Sequence, residues 1–193
     1  MQTVSRVYDT YAHANQAVQD IEATGVPSNQ VSLVANKYVS DRYTDVESVS
    51  KAGAGIGGVL GGGAGLLAGL GMLAIPGLGP VVAAGWLASL AVGAAAGATA
   101  GGLVGALVSA GTSDDHAHVY SESVRRGGTL VSVRAEDADM ASIQSILDSH
   151  GPIDPVERGD EYRSAGWTTF DPAAPPYKPS ETEIERIRRA RAA

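Results

Sequence analysis

Ile75-Pro76-Gly77-Leu78-Gly79-Pro80 lies near the middle of a stretch, Ala52–Ser113, that contains no Asp, Glu, Lys or Arg. On its N-terminal side glycine recurs at every fourth position, as Gly53, Gly57, Gly61, Gly65 and Gly69. On its C-terminal side the same spacing runs through Gly85, Ser89, Gly93, Gly97, Gly101 and Gly105. Residues four apart share a helix face, and small residues there let two backbones approach closely. The spacing therefore predicts two apolar helices, Ala52–Ile75 and Val81–Ala110, joined by a tight turn at Pro76, Gly77, Gly79 and Pro80. A fourfold repeat on a 3.6-residue helix drifts by about 40° per step, so one straight partner cannot follow the stripe. The helices must cross steeply or meet several neighbours, within the hairpin and between copies of the chain.

Two surroundings satisfy this pattern. Each helix is long enough to cross a hydrocarbon core of about 30 Å, with both ends returning to the same side. In that arrangement Trp86 would sit near the far interface. The turn, however, carries no charged group, and positions 94–101 hold only Gly, Ala and Thr99. With about 0.3–0.6 kcal/mol from each Leu, Ile or Val, insertion is marginal. The other surrounding is a self-assembly in which the hairpin is buried between subunits, because an isolated chain exposing it would aggregate. Gly53-Ala54-Gly55-Ile56-Gly57-Gly58 also matches G-x-G-x-x-G. It lacks the preceding strand, and no acidic residue follows before Asp114, so the dinucleotide reading fails on context.

Outward from the block the sequence becomes ordinary. Val4–Asp9 reads as a strand and Tyr11–Thr24 as a helix, started by Asp9 or Thr10 and ended by Gly25. Gln30–Asn36 is a second strand with Val31, Leu33 and Ala35 on one face. Thr112-Ser113-Asp114-Asp115 opens a helix that runs to Arg126 and stops at Gly127-Gly128. Thr129–Arg134 is a third strand, Asp137–Ser149 a helix, and Ile153–Arg158 a fourth, edge strand restricted by Pro155. With the block removed this is a βαβ-βαβ order. It predicts an α+β, ferredoxin-like sandwich with one sheet face left open to a partner or to the hairpin. The implied organisation is a discontinuous α+β domain (1–51 and 112–159), an inserted hairpin (52–111), and a tail (160–193) with a Pro-rich linker and a short helix from Ser180.

A net charge of −7 argues against a nucleic-acid partner, and the absence of cysteine excludes thiolate chemistry. The N-terminus lacks a signal-peptide pattern, so the expected place is the cytoplasm, at the inner face of the cytoplasmic membrane. His116 and His118 project about 200° apart on a helix and cannot share one metal. No nucleophile elbow, H-E-x-x-H or P-loop occurs, so the expectation is no enzyme, no metal and no cofactor. Glu122 and Arg126 form an i, i+4 pair. Arg125 and Arg126, beside a turn, are the positions for a ligand or interface contact, and a small-ligand sensor is the alternative to a structural protein.

The P-G-x-G-P turn and the segment Tyr120-Ser121-Glu122-Ser123-Val124-Arg125-Arg126-Gly127-Gly128-Thr129-Leu130-Val131-Ser132-Val133 add a resemblance. With the βαβ opening and the Gly/Ala block, the chain from about Val4 to Arg158 resembles the bacterial general stress protein 17M-like family. That family includes heat-induced and low-temperature-induced stress proteins. The resemblance implies a role in stress response. It implies no reaction and supplies no catalytic residues.

Overall fold

The strand β1 (Gln2–Tyr8) leads into the helix α1 (Tyr11–Ala23), whose start is fixed by the Thr10 hydroxyl accepting the His13 N–H at 3.2 Å. The chain returns through β2 (Val31–Asn36). Two further strands, β3 (Gly71–Ile75) and β4 (Gly79–Ala84), follow, then the helices α2 (Leu103–Ser109) and α3 (Asp114–Arg125). Strand β5 (Thr129–Ala135) and the helices α4 (Met140–Ser149) and α5 (Pro155–Ser164) are the last regular elements among the described residues. This computed structural model describes residues 1–36, 71–75, 77–87, 90, 102–175 and 177.

The five strands form one antiparallel-paired sheet in the order β1-β5-β2-β4-β3. Alternation along the strands sends side chains to two separate cores. On one face Val4, Tyr8, Val31, Leu33, Val131 and Val133 pack against the apolar stripes of α1 and α4. On the other face Val7, Val34, Val81 and Leu130 pack against Leu103 and Leu107 of α2 and Ala117, Tyr120 and Val124 of α3. The molecule is therefore layered helix–sheet–helix. The face expected to be open is covered by the chain's own α2 and α3.

The expectation of mixed α and β structure holds, and the sheet is antiparallel, but three finer expectations are corrected. First, the Ile75–Pro80 turn does not join two helices. It joins β3 to β4, closed by Leu78 N–H donating to the Ile75 carbonyl at 3.0 Å, with Gly77 at φ +78°. That positive φ fits the third position of a type II turn and requires glycine. Val81 and its neighbours extend because they complete a sheet beside β2, with Leu33 opposite Ala84 and Asn36 opposite Val81. The partner strand overrides the helix that the glycine spacing predicted. Second, Gly85 does not lie on a helix stripe. It follows β4 at φ +86°, pressed against the Val31 carbonyl and, at 2.7 Å from an added Cβ, the Ser32 Cα. Third, Ile153–Arg158 is not an edge strand. Ile153 N–H donates to the Val7 carbonyl at 2.8 Å. Asp154 then accepts the Val156 and Glu157 N–H groups, and Pro155 begins α5. Proline at the first helical position loses no hydrogen bond there, so the residue that seemed to restrict a strand starts a helix instead.

Gly53, Gly57, Gly61, Gly65, Gly69, Pro76, Ser89, Gly93, Gly97 and Gly101 lie outside the described residues, as does the helix expected from Ser180. Gly105 lies within α2, and Gly79 and Pro80 open β4. No helix among the described residues is long and apolar enough to cross a membrane.

Candidate functional site

The C-terminal turn of α3 gathers the charged residues marked in the sequence. Glu122 is 1% exposed, a depth at which an unpaired charge is costly. It is not unpaired. Arg125 holds it with two parallel bonds, Nε to Oε2 and Nη2 to Oε1, both 2.8 Å. Arg126 adds Nε to Oε1 at 2.7 Å. Arginine's planar fork suits this two-point grip on a carboxylate. The i, i+4 pair read from the sequence is present, and the i+3 arginine joins it.

The cluster ties together parts of the chain that are distant in sequence. The Arg126 guanidinium lies 4.2 Å from the centre of the Tyr162 ring on α5 and 5.0 Å from that of Tyr177. Arg125 lies 5.2 Å from the Tyr177 ring and donates to the Pro175 carbonyl at 3.3 Å. Such stacking of a cation on a ring face adds about 0.5–2 kcal/mol per contact. Burial lowers Arg126's affinity for its proton, but the Glu122 bond and charge outweigh it, leaving the guanidinium above its ordinary value. Asn36, at the end of β2, donates to both the Leu78 and Arg125 carbonyls at 3.1 Å, joining the β3–β4 turn to the same cluster.

The tail closes over this end of the molecule. Phe170 is 3% exposed and belongs to the α2–α3 core, and the Phe170–Pro172 segment seals the glycine surface at Gly77. Thr169 Oγ1 bonds His118 Nδ1 at 2.9 Å, while His118 Nε2 is 3.8 Å from Asp114. His116 instead lies beside the Tyr120 ring. Among the described residues no three metal-ligating groups converge.

Chemically, the cluster is a saturated knot. The two arginines spend three of their donors on Glu122. The structure thus brings Arg125 and Arg126 together, as expected for a functional pair, but turns them inward. Reading the sequence missed Tyr162, Phe170 and Tyr177, because nothing local announces a ring arriving from 36 to 52 residues away. No family model matches this chain, and neither do the curated proteins or the solved structures compared with it.

Proposed function

We propose that this protein is a non-enzymatic, self-assembling structural protein, in which the charge-free segments 52–70 and 88–101 pack closely against those of other copies. The observation that carries the reading is the β3–β4 hairpin. It draws residues 71–84 into the sheet and splits the apolar block into two separate segments. Residues 88–101 count fourteen and reach only about 21 Å as a helix, against a hydrocarbon core of about 30 Å. This favours burial between subunits over a membrane-spanning helical pair. The fourfold spacing at Gly57, Gly61 and Gly65, and again at Gly93, Gly97 and Gly101, retains its meaning as a close-contact surface.

The domain that carries these segments is read as a ferredoxin-like unit, β1-α1-β2-β5-α4, whose closing strand is replaced by α5. Its role in stress response rests on the resemblance of the Tyr120–Val133 segment and the P-G-x-G-P turn. The test is light scattering on the full chain without detergent. The wild type is expected to run as a multimer, and Gly61→Leu or Gly97→Leu to shrink or abolish it. A monomeric wild type, or variants of unchanged size, overturns the assembly. Retention in the membrane pellet after alkaline carbonate extraction also overturns it and installs the lipid-inserted reading.

A further inference from the structure

A cavity of about 350 Å³ opens between the C-terminal end of α1, the last residues of β5 and the first turn of α4. Its volume lies in the range of small-molecule sites. Val26, Pro27 and Ile143 supply an apolar wall. Arg134, Glu136, Asp139 and the Met1 amino group bring the charges to its lining.

Arg134 is unlike the other described arginines. Arg6, Arg125, Arg126, Arg158 and Arg163 each grip a carboxylate. Among the described residues Arg134 has neither a hydrogen-bond nor an ion-pair partner. It is nevertheless held in place, its guanidinium stacked 3.5 Å from the centre of the Trp86 ring. Trp86 is in turn anchored by its indole N–H donating to the Gln30 carbonyl at 3.2 Å. Stacking occupies the face of the guanidinium and leaves its edge, with the N–H donors, for a planar anion.

Asp139 is the complementary case. It precedes α4 at the N-cap position, yet its side chain makes no capping bond and joins no ion pair among the described residues. The neighbouring Glu136 differs, since it faces the Met1 amino group at 3.8 Å. Beside the Glu136–Met1 pair, the cavity thus holds two opposite charges, Arg134 and Asp139, whose side chains make no hydrogen bond or ion pair among the described residues. Uncompensated charges of opposite sign across an apolar wall complement a ligand that carries both signs itself.

We propose that this cavity binds a small zwitterion, an α-amino acid with an apolar side chain. The ligand carboxylate lies along the edge of Arg134, its ammonium faces Asp139, and its side chain rests on Val26, Pro27 and Ile143. The site is independent of the assembly reading, because it uses neither the glycine segments nor a second copy.

Calorimetric titration of the full chain tests it with three probes that share the 3-methylbutyl group: L-leucine, 3-methylbutylamine and 4-methylpentanoate. L-leucine is expected to bind at least tenfold more tightly than either single-charge probe. Arg134→Gln should weaken L-leucine at least tenfold. Asp139→Asn should weaken L-leucine but leave 4-methylpentanoate unchanged, a pattern that global unfolding cannot produce. No binding of L-leucine to the wild type overturns the proposal. So does equal binding of L-leucine and 4-methylpentanoate, or an Arg134→Gln variant that binds like the wild type. Subunit size, read separately by light scattering, reports on assembly and leaves this outcome unaffected.

Discussion

Gly85 shows how one residue type can serve two unrelated purposes. Four-residue spacing from Gly85 to Gly105 places it on a helix stripe, where glycine would admit a neighbouring helix. In the fold it ends β4 and turns the chain at φ +86°, with no room for a Cβ beside the Val31 carbonyl and Ser32. Two penalties then add: a left-handed conformation that costs an L-residue about 1–3 kcal/mol, and a backbone collision that a sheet strand cannot relieve. Gly25 has only the first, since it sits at φ +94° with nothing within 4 Å. Gly85→Ala should therefore lose at least about 2 kcal/mol more than Gly25→Ala in urea unfolding, within the range of backbone-strain and overpacking effects. Equal losses would mean that the close approach to β2 is absent and that the helix-stripe reading deserves to return.

At the scale of elements, what could be read in advance was whatever carries its own local chemistry. Thr10 and Ser113 each accept an N–H from the third residue beyond, so the starts of α1 and α3 were legible from the capping residue and the apolar period behind it. The β5 strand was legible in the alternation from Thr129 to Arg134. β3 and β4 were not, because Gly71-Met72-Leu73-Ala74 has no strand-like alternation and becomes a strand only by pairing with β4, itself held by β2. The candidate sites divide along the same line. The Glu122–Arg126 pair lies within one helix and was visible. Arg134 over Trp86 joins residues 48 positions apart and was not. The tail illustrates the same limit, since a Pro-rich stretch reads as a linker until Phe170 finds a core to enter. Phe170→Ala should cost about 3 kcal/mol or more, in line with truncating a buried phenylalanine. It should also open the 165–177 segment to limited proteolysis, mapped by mass spectrometry. Undiminished stability with unchanged protection would show that Phe170 does not hold the tail down.

Across the whole molecule, covering both faces of the sheet buries several tyrosine hydroxyls. Tyr8 donates to the Leu147 carbonyl at 2.9 Å, Tyr120 to Ser5 O at 3.4 Å and Tyr162 to Ser123 Oγ at 3.1 Å. Tyr11, at the start of α1, has no hydrogen-bond partner for its hydroxyl among the described residues. Burial raises the pKa of all four, and pushes Tyr11 up to about 12 from the ordinary 10. The consequence for stability has a definite sign. Between the unfolded and folded values the native state keeps protons that the unfolded chain has released. The contribution is thus fully present below about pH 10 and is lost as pH rises through the folded values. Each such tyrosine steepens the fall by at most about 1.4 kcal/mol per pH unit. The chain should accordingly be stable to denaturant up to about pH 10 and lose stability steeply toward pH 12. Tyr11→Phe isolates one contributor. It removes a buried hydroxyl that has no hydrogen bond to lose, so stability at pH 7 should hold or rise by up to about 1 kcal/mol. The slope between pH 10 and 12 should be shallower than in the wild type. Urea midpoints across that range decide the matter. An unchanged alkaline slope in Tyr11→Phe would place the Tyr11 hydroxyl in water, and would mean that the seal between α1 and the sheet is looser than the burial of Tyr11 in this core requires.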